Sequence, residues 1–356
     1  MDGSLLVLGI SGPELTPEEA ARFRKLQPAG YILFTRNIVT REQTRKLTDD
    51  LRDLSSEAPI IAIDQEGGRV TRTKDIAPVA PSAPALTEKG DMGLIADAAA
   101  LTADLLRLLG CNLNFAPVLD LDHFPGVQNA LRGRSWGRDP QRVIDRAGHW
   151  NRWLRKRSIA SCAKHFPAGG RALSDPHHDL PSSPATIAEL LNEDVIPYTA
   201  LMPELDSIML AHVEFPEIDP QFPASLSPRV IRGFLRGQLG FEKHVVLTDD
   251  LDMGAITKRY GRGQDVKLAI EAGNDLALIC HQTDSAETAA KAIAELPYWM
   301  IEEAHQRLRR LRKKLRDPLP LTDKAWDKTV EGLAKLAADV PEISEVQAAT
   351  SPVADY

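Results

Sequence analysis

The sequence predicts an α/β protein built as one (β/α)8 barrel of the TIM type, and three observations predict it. Eight short apolar runs recur along the chain: Leu5–Gly9, Gly30–Phe34, Pro59–Ile63, Asn112–Leu119, Ile159–Ala163, Ser207–Leu210, His244–Leu247 and Leu276–Ile279. Each is short enough for a buried parallel strand and too short for a core helix. Charged stretches with helical spacing separate these runs, and strand–helix alternation repeated eight times predicts a closed parallel barrel. No G-x-G-x-x-G turn follows the first run, which disfavours a doubly wound sheet as the competing architecture.

The elements follow in order. Thr16 and Pro17 supply the cap and first position of a helix running through Glu18, Glu19 and Phe23 to Leu26. A second helix is expected over Arg41–Leu54, and a third over Gly93–Leu109 after a Pro-rich loop. Beyond the eighth run, Ala304, Leu308, Leu311 and Leu315 share one helical face, and seven Lys or Arg residues between Arg307 and Arg316 occupy the rest. A basic helix invites an RNA or membrane reading, but a helix closing the barrel with a solvated outer face accounts for the pattern. The expected organisation is a barrel domain over 1–320 and a C-terminal helix over 321–338. Residues 339–356 hold four acids, two prolines and no basic residue, and are read as a flexible acidic tail.

Composition narrows the partners. The 356 residues are 43% hydrophobic and 26% charged, with a net charge of −7. A mildly acidic chain is poorly suited to non-specific nucleic-acid binding or to an anionic membrane surface. Three scattered cysteines, Cys111, Cys162 and Cys280, make neither a disulfide framework nor a zinc knuckle. The first apolar run lacks a basic flank and a cleavage pattern, and no run reaches 18 apolar residues, so a cytoplasmic protein is expected.

In a (β/α)8 barrel, chemistry sits at the C-terminal ends of the strands. Here the third run leads into Asp64, Arg69 and Arg72, and the fourth ends at Asp120 and Asp122. The fifth leads to Lys164 and His165, the sixth to His212, and the seventh to Asp249 and Asp250. A barrel rim is often polar, so each instance is weak. Five successive strands with titratable ends describe a pocket of carboxylates and cations suited to a polyhydroxylated ligand.

Four segments then carry a family resemblance: Ile63-Asp-Gln-Glu-Gly-Gly-Arg-Val-Thr-Arg72; Phe115-Ala-Pro-Val-Leu-Asp120; Lys164-His-Phe-Pro167 through Asp175-Pro-His177; and Thr248-Asp-Asp-Leu-Asp-Met253. In order and spacing they resemble the bacterial family 3 glycoside hydrolases, specifically the single-domain β-N-acetylglucosaminidases (β-hexosaminidases) of the NagZ type, over roughly residues 5–315. The resemblance implies that Asp249 is the nucleophile of a retaining mechanism with a glycosyl-aspartate intermediate; a helix cap is the alternative reading of that residue. It implies His177 as the acid/base on a mobile loop, oriented by Asp175. Histidine titrates near working pH and an adjacent carboxylate tunes it; His178 is a local rival. Asp64, Arg72, Arg134, Lys164 and His165 match the sugar-binding positions, where charge-assisted bonds to hydroxyls are strong. Arg134 could instead be a surface residue of an arginine-rich stretch. Asp120 is read as structural, anchoring its loop to Arg134, and His212 and Asp250 as supporting residues.

Two departures stand out. The family's K-H-F-P-G-H-G appears as Lys164-His-Phe-Pro-Ala-Gly-Gly170, without the second His, and its D-S-H appears as Asp175-Pro176-His177. Pro176 biases Asp175 toward extended backbone. The implied function is release of terminal β-linked GlcNAc, from GlcNAc-1,6-anhydro-MurNAc muropeptides of cell-wall recycling in particular. The substrate is then a small carbohydrate or muropeptide, and the protein a monomer with no metal or cofactor. The near alternatives are a family 3 β-glucosidase and a phosphorylase; larger β-glucosidases usually carry the acid Glu on a second domain, for which this length leaves no room. A metal-dependent amidohydrolase-type barrel would need an H-x-H pair at the first strand, and Leu5–Ser11 has no His. A non-catalytic sugar-binding barrel is the third class.

Overall fold

The computed structural model describes residues 1–176 and 180–343. Eight parallel strands close on themselves: β1 (Leu6–Gly9), β2 (Gly30–Leu33), β3 (Ile60–Ile63), β4 (Leu113–Asn114), β5 (Ala160–Phe166), β6 (Ser207–Leu210), β7 (Val245–Asp250) and β8 (Leu276–Ile279). Neighbours in sequence are neighbours in the barrel, and β1 pairs with β8 through Leu6↔Ala277 and Leu8↔Ile279. The predicted barrel is the observed one.

The apolar runs become strands because both faces are buried, one inside the barrel and one under the surrounding helices. Val7, Ile32, Ile61, Leu113, Ile208, Val246 and Leu278 are all essentially inaccessible. Closure demands a residue without a side chain where β1 meets β8: a Cβ on Gly9 would lie 1.9 Å from the Cys280 carbonyl oxygen.

Helix boundaries follow the capping chemistry. Thr16 and Glu19 form a reciprocal capping box with Pro17 at the first position, and the helix ends at Leu26. The next spans Arg41–Leu54, as expected, capped by Thr40, and the third spans Met92–Leu108.

Three strand expectations need correction. The fourth run is ladder only at Leu113–Asn114; beyond it the register shifts, with Cys162 N donating to the Ala116 carbonyl and Lys164 N to that of Pro117, and pairing resumes as a single bridge between Val118 and Lys164. The fifth and seventh strands run further than their apolar cores, through Lys164-His165 and Asp249-Asp250, so polar rim residues lie on strand backbone. A two-stranded antiparallel hairpin, Gln65–Gly67 with Val70–Thr71, follows β3 directly.

The helix Tyr298–Arg312 buries Ile301, Ala304, Leu308 and Leu311. Leu311 lies beside Val7, Ile60, Leu113, Val245 and Leu276, so this helix plugs the N-terminal end of the barrel. Arg307 on the same helix donates to Asp275 Oδ1 at 2.9 Å, and Arg236 donates to Asp275 Oδ2 at 2.9 Å. The last helix, Asp323–Asp339, packs Trp326 and Leu333 against Leu105, Leu108 and Leu109. Beyond it, Glu342 Oε1 accepts from Ser82 Oγ at 2.6 Å and Ile343 packs on the core. The rest of the proposed tail, 344–356, lies outside the described residues. Among the described residues no helix is long and apolar enough to cross a membrane.

Candidate active site

A cavity open to solvent sits at the C-terminal end of the barrel. Asp64, Arg72, Asp120, Arg134, Lys164, His165, His212, Asp249 and Asp250 line it among apolar walls that include Phe34, Phe115, Met209 and Met253. The five expected sugar-binding residues and the expected nucleophile therefore share one cavity.

The cations and anions along one wall form a chain of contacts. Arg72 Nη2 lies 3.5 Å from Asp64 Oδ2, and Lys164 Nζ bonds Asp64 Oδ1 at 2.6 Å. The same ammonium lies 2.6 Å from Glu66 Oε1. Glu66 in turn takes Arg134 as a two-pronged partner, Nε to Oε2 at 2.9 Å and Nη2 to Oε1 at 2.8 Å. Arg134 Nη2 also lies 3.4 Å from His165 Nε2, and His165 Nδ1 is 2.7 Å from Asp120 Oδ2. A carboxylate only accepts, so His165 carries its proton on Nδ1 and turns a lone pair on Nε2 toward Arg134.

Glu66 was not assigned a role from the sequence, although it lies inside the Asp64–Arg72 segment. The only general signal is that buried cations such as Arg134 and Lys164 require a compensating charge. Burial would raise the Glu66 carboxyl, but Arg134 and Lys164 outweigh it and hold the group well below the usual carboxylate range. Burial likewise lowers Lys164, and Asp64 and Glu66 more than reverse that, so its ammonium is kept. The expected Asp120–Arg134 anchor is not what holds either residue. Asp120 instead accepts from the His165 ring, His165 N and Gly170 N, while Ser135 Oγ donates to the Asp120 carbonyl.

At the position of the missing second His, a Cβ on Gly169 would lie 3.0 Å from Asp120 Oδ1. Gly170 is tighter still, with a Cβ 2.0 Å from the Leu121 carbonyl oxygen. The loop therefore packs its backbone directly on the strand-4 rim.

The opposite wall carries β7. Asp249 is half-buried at the end of this strand, not a helix cap, and its Oδ1 accepts from Asp250 N at 2.9 Å. Asp250 alternates away from it and is buried. Its Oδ1 accepts from Asp252 N and Cys280 N, and Oδ2 lies 3.7 Å from His281 Nε2. Arg36 Nη1 lies 3.2 Å from His281 Nδ1; a guanidinium only donates, so the ring proton is on Nε2, facing Asp250. His212 fixes the same segment: its Nε2 donates to the Asp250 carbonyl at 2.9 Å, and Nδ1 pairs with Ser225 Oγ at 2.7 Å.

Burial first, then the Asp252 charge, pushes the Asp250 carboxyl up to about 7. The folded protein therefore keeps a proton that the unfolded chain loses near pH 4. Stability from this group is complete below that pH and falls as pH rises through about 7. Replacing Asp250 by Asn is expected to flatten this part of the stability–pH curve, whose slope is at most about 1.4 kcal/mol per pH unit. Denaturant titrations at pH 5 and pH 8 check it; an unchanged slope in the variant would show that Asp250 is not the group.

Ser174 and Pro176 line the cavity, and the Pro176 carbonyl accepts from Ala255 N at 3.2 Å. The loop is thus tied to the short helix Gly254–Thr257 that follows Asp249. Asp175 is half-buried on this loop. His177 and its rival His178 lie outside the described residues. Among the described residues, one group of metal-ligating atoms comes close together, His123, Glu193 and Asp194. Arg171 already pairs with both acids, at 2.8 Å and 2.7 Å, leaving little net negative charge for a cation.

Residues 5–311 match the glycosyl hydrolase family 3 N-terminal domain. The chain belongs to glycoside hydrolase family 3. It is therefore a glycoside hydrolase, as the four motifs implied. This family 3 chain is 35% identical over 314 residues to a β-hexosaminidase of Bordetella avium, covering 86% of this chain and 87% of that one. A β-hexosaminidase of Pseudomonas aeruginosa is 35% identical, with 83% and 88% covered. Among solved structures, NagZ from Neisseria gonorrhoeae superposes with a TM-score of 0.80 at 28% identity, over 98% of each chain. A family 3 β-N-acetylglucosaminidase from Paenibacillus gives a TM-score of 0.86 at 33% identity, covering 95% of this chain and 68% of that one.

Proposed function

We propose that this glycoside hydrolase is a retaining exo-β-N-acetylglucosaminidase. The observation that carries the reading is the shared cavity, in which Asp249 faces a wall of hydroxyl-binding groups, Asp64, Arg72, Lys164, Arg134 and His165. The names of the relatives, β-hexosaminidases among them, support the choice of sugar.

In the first step the Asp249 carboxylate attacks the anomeric carbon while the glycosidic C–O bond breaks. His177, as imidazolium oriented by Asp175, donates its proton to the leaving oxygen. A glycosyl-aspartate results. In the second step neutral His177 takes a proton from water, whose oxygen attacks the anomeric carbon, and Asp249 departs as carboxylate. Two displacements return the starting β configuration. Pro176, one residue before His177 in the chain, lines the cavity, and its carbonyl accepts from Ala255 N on the helix that follows Asp249.

The proposed natural substrate is a GlcNAc-1,6-anhydro-MurNAc muropeptide, and the proposed setting is cell-wall recycling in the cytoplasm by a monomeric enzyme. A proton magnetic resonance time course on an aryl β-GlcNAc substrate tests the chemistry. The first-formed product is expected to be β-GlcNAc, at a rate independent of phosphate. The α anomer first would exclude the double displacement, and a phosphate requirement with sugar phosphate as product would make the protein a phosphorylase.

A further inference from the structure

We propose that Glu66 is a positioning residue for this glycosidase, fixing Lys164 and Arg134 in the directions from which they meet the sugar. The inference rests on reading Lys164 and Arg134 as sugar contacts.

Glu66 does not itself line the cavity; it stands behind the wall, beside a small void bounded by Gly67, Ala83, Val118 and Trp136. Its side chain is 7% exposed, and both carboxylate oxygens are engaged by protein cations. An ammonium has three donors. Asp64 and Glu66 take two of those of Lys164, each at 2.6 Å, so the direction of the third is fixed. A four-carbon stem would otherwise sample several rotamers and would have to be ordered at each binding event. Arg134 is held on three sides, by Glu66 at Nε and Nη2 and by the Ala130 carbonyl at Nη1, 3.0 Å away. Its plane cannot rotate without breaking the fork.

The local peptide reinforces this assignment. Glu66 lies on the hairpin directly after β3, two residues past Asp64. The intervening Gln65 turns inward, where Nε2 donates to Thr73 Oγ1 at 2.8 Å and Oε1 accepts from Arg72 N at 3.0 Å. One short hairpin thus presents Asp64, positions Glu66 and returns Arg72 to the same wall.

A purely structural carboxylate would affect unfolding alone, so the test reads kinetics. In Glu66→Gln, a neutral amide sets an N–H against Arg134 or Lys164 and removes one of the two anions facing Lys164. KM for an aryl β-GlcNAc substrate is expected to rise at least tenfold, with a smaller fall in kcat. The alkaline limb of kcat/KM follows the acid His177 and is expected to stay in place, so the split between KM and kcat carries the readout. Glu66→Asp keeps the charge but withdraws the carboxylate by one methylene. It is expected to keep kcat near the wild-type value while KM stays raised, and it carries the test alone if the Gln variant does not fold. Lys164→Met is the reference. If Lys164→Met raises KM but Glu66→Asp has the wild-type KM, the positioning role is overturned while the sugar-contact reading stands. If Lys164→Met leaves KM unchanged, that reading itself fails.

Discussion

Asp249→Ala is expected to lower kcat on an aryl β-GlcNAc substrate by roughly 10⁴-fold or more, the scale seen when a covalent nucleophile is removed. The remaining groups still bind sugar and stabilise charge, so KM should change far less than kcat. Asp249 is half-buried at the mouth of the barrel, and its Oδ1 accepts from the N–H of Asp250. Losing that bond costs about 1 kcal/mol, so cooperative unfolding should persist with little change in midpoint. A wild-type protein no faster than this variant would mean that the barrel binds sugar without cleaving it.

Arg134→Met is expected to act on stability as strongly as on activity. Arg134 and Glu66 are both nearly inaccessible and joined by a two-pronged ion pair. Removing one partner of a buried pair costs about 3–5 kcal/mol, because the other is left under-compensated. Lys164 remains beside Glu66 and should keep the loss near the lower end. Urea unfolding measures it directly, and a loss under about 1 kcal/mol would show that Glu66 finds another partner or takes up a proton. The same variant should raise KM through the lost sugar contact.

The barrel was legible because its signal is repeated. A single apolar run of four residues fits helix or strand, but eight runs such as Leu276–Ile279, separated by helical stretches, fit one closed sheet. Boundaries failed where chemistry overrides apolar patterning. A register shift after Asn114 cuts the fourth strand short, and Lys164 and Asp249 continue strands that apolar counting ends too early. Asp64, Arg72, Lys164 and Asp249 were legible as rim residues by their places after strands. Glu66 was not, because its partners Arg134 and Lys164 are 68 and about 100 residues away in sequence, and a pair of that kind exists only in three dimensions. The Asp120 assignment failed for the same reason: its true partner, His165, could not be told from Arg134 without coordinates.

Glu342 Oε1 accepts from Ser82 Oγ, and its Oε2 accepts from Ser82 N at 3.2 Å. Ser82 lies against Gly68, at the turn of the hairpin that carries Glu66 and Arg72. This contact thus joins Ser82 to a residue 260 positions later in the chain. At roughly 5–20 residues per second, a ribosome exposes the hairpin many seconds before Glu342 emerges. Until then Ser82, and the hairpin turn it lies against, lack this contact.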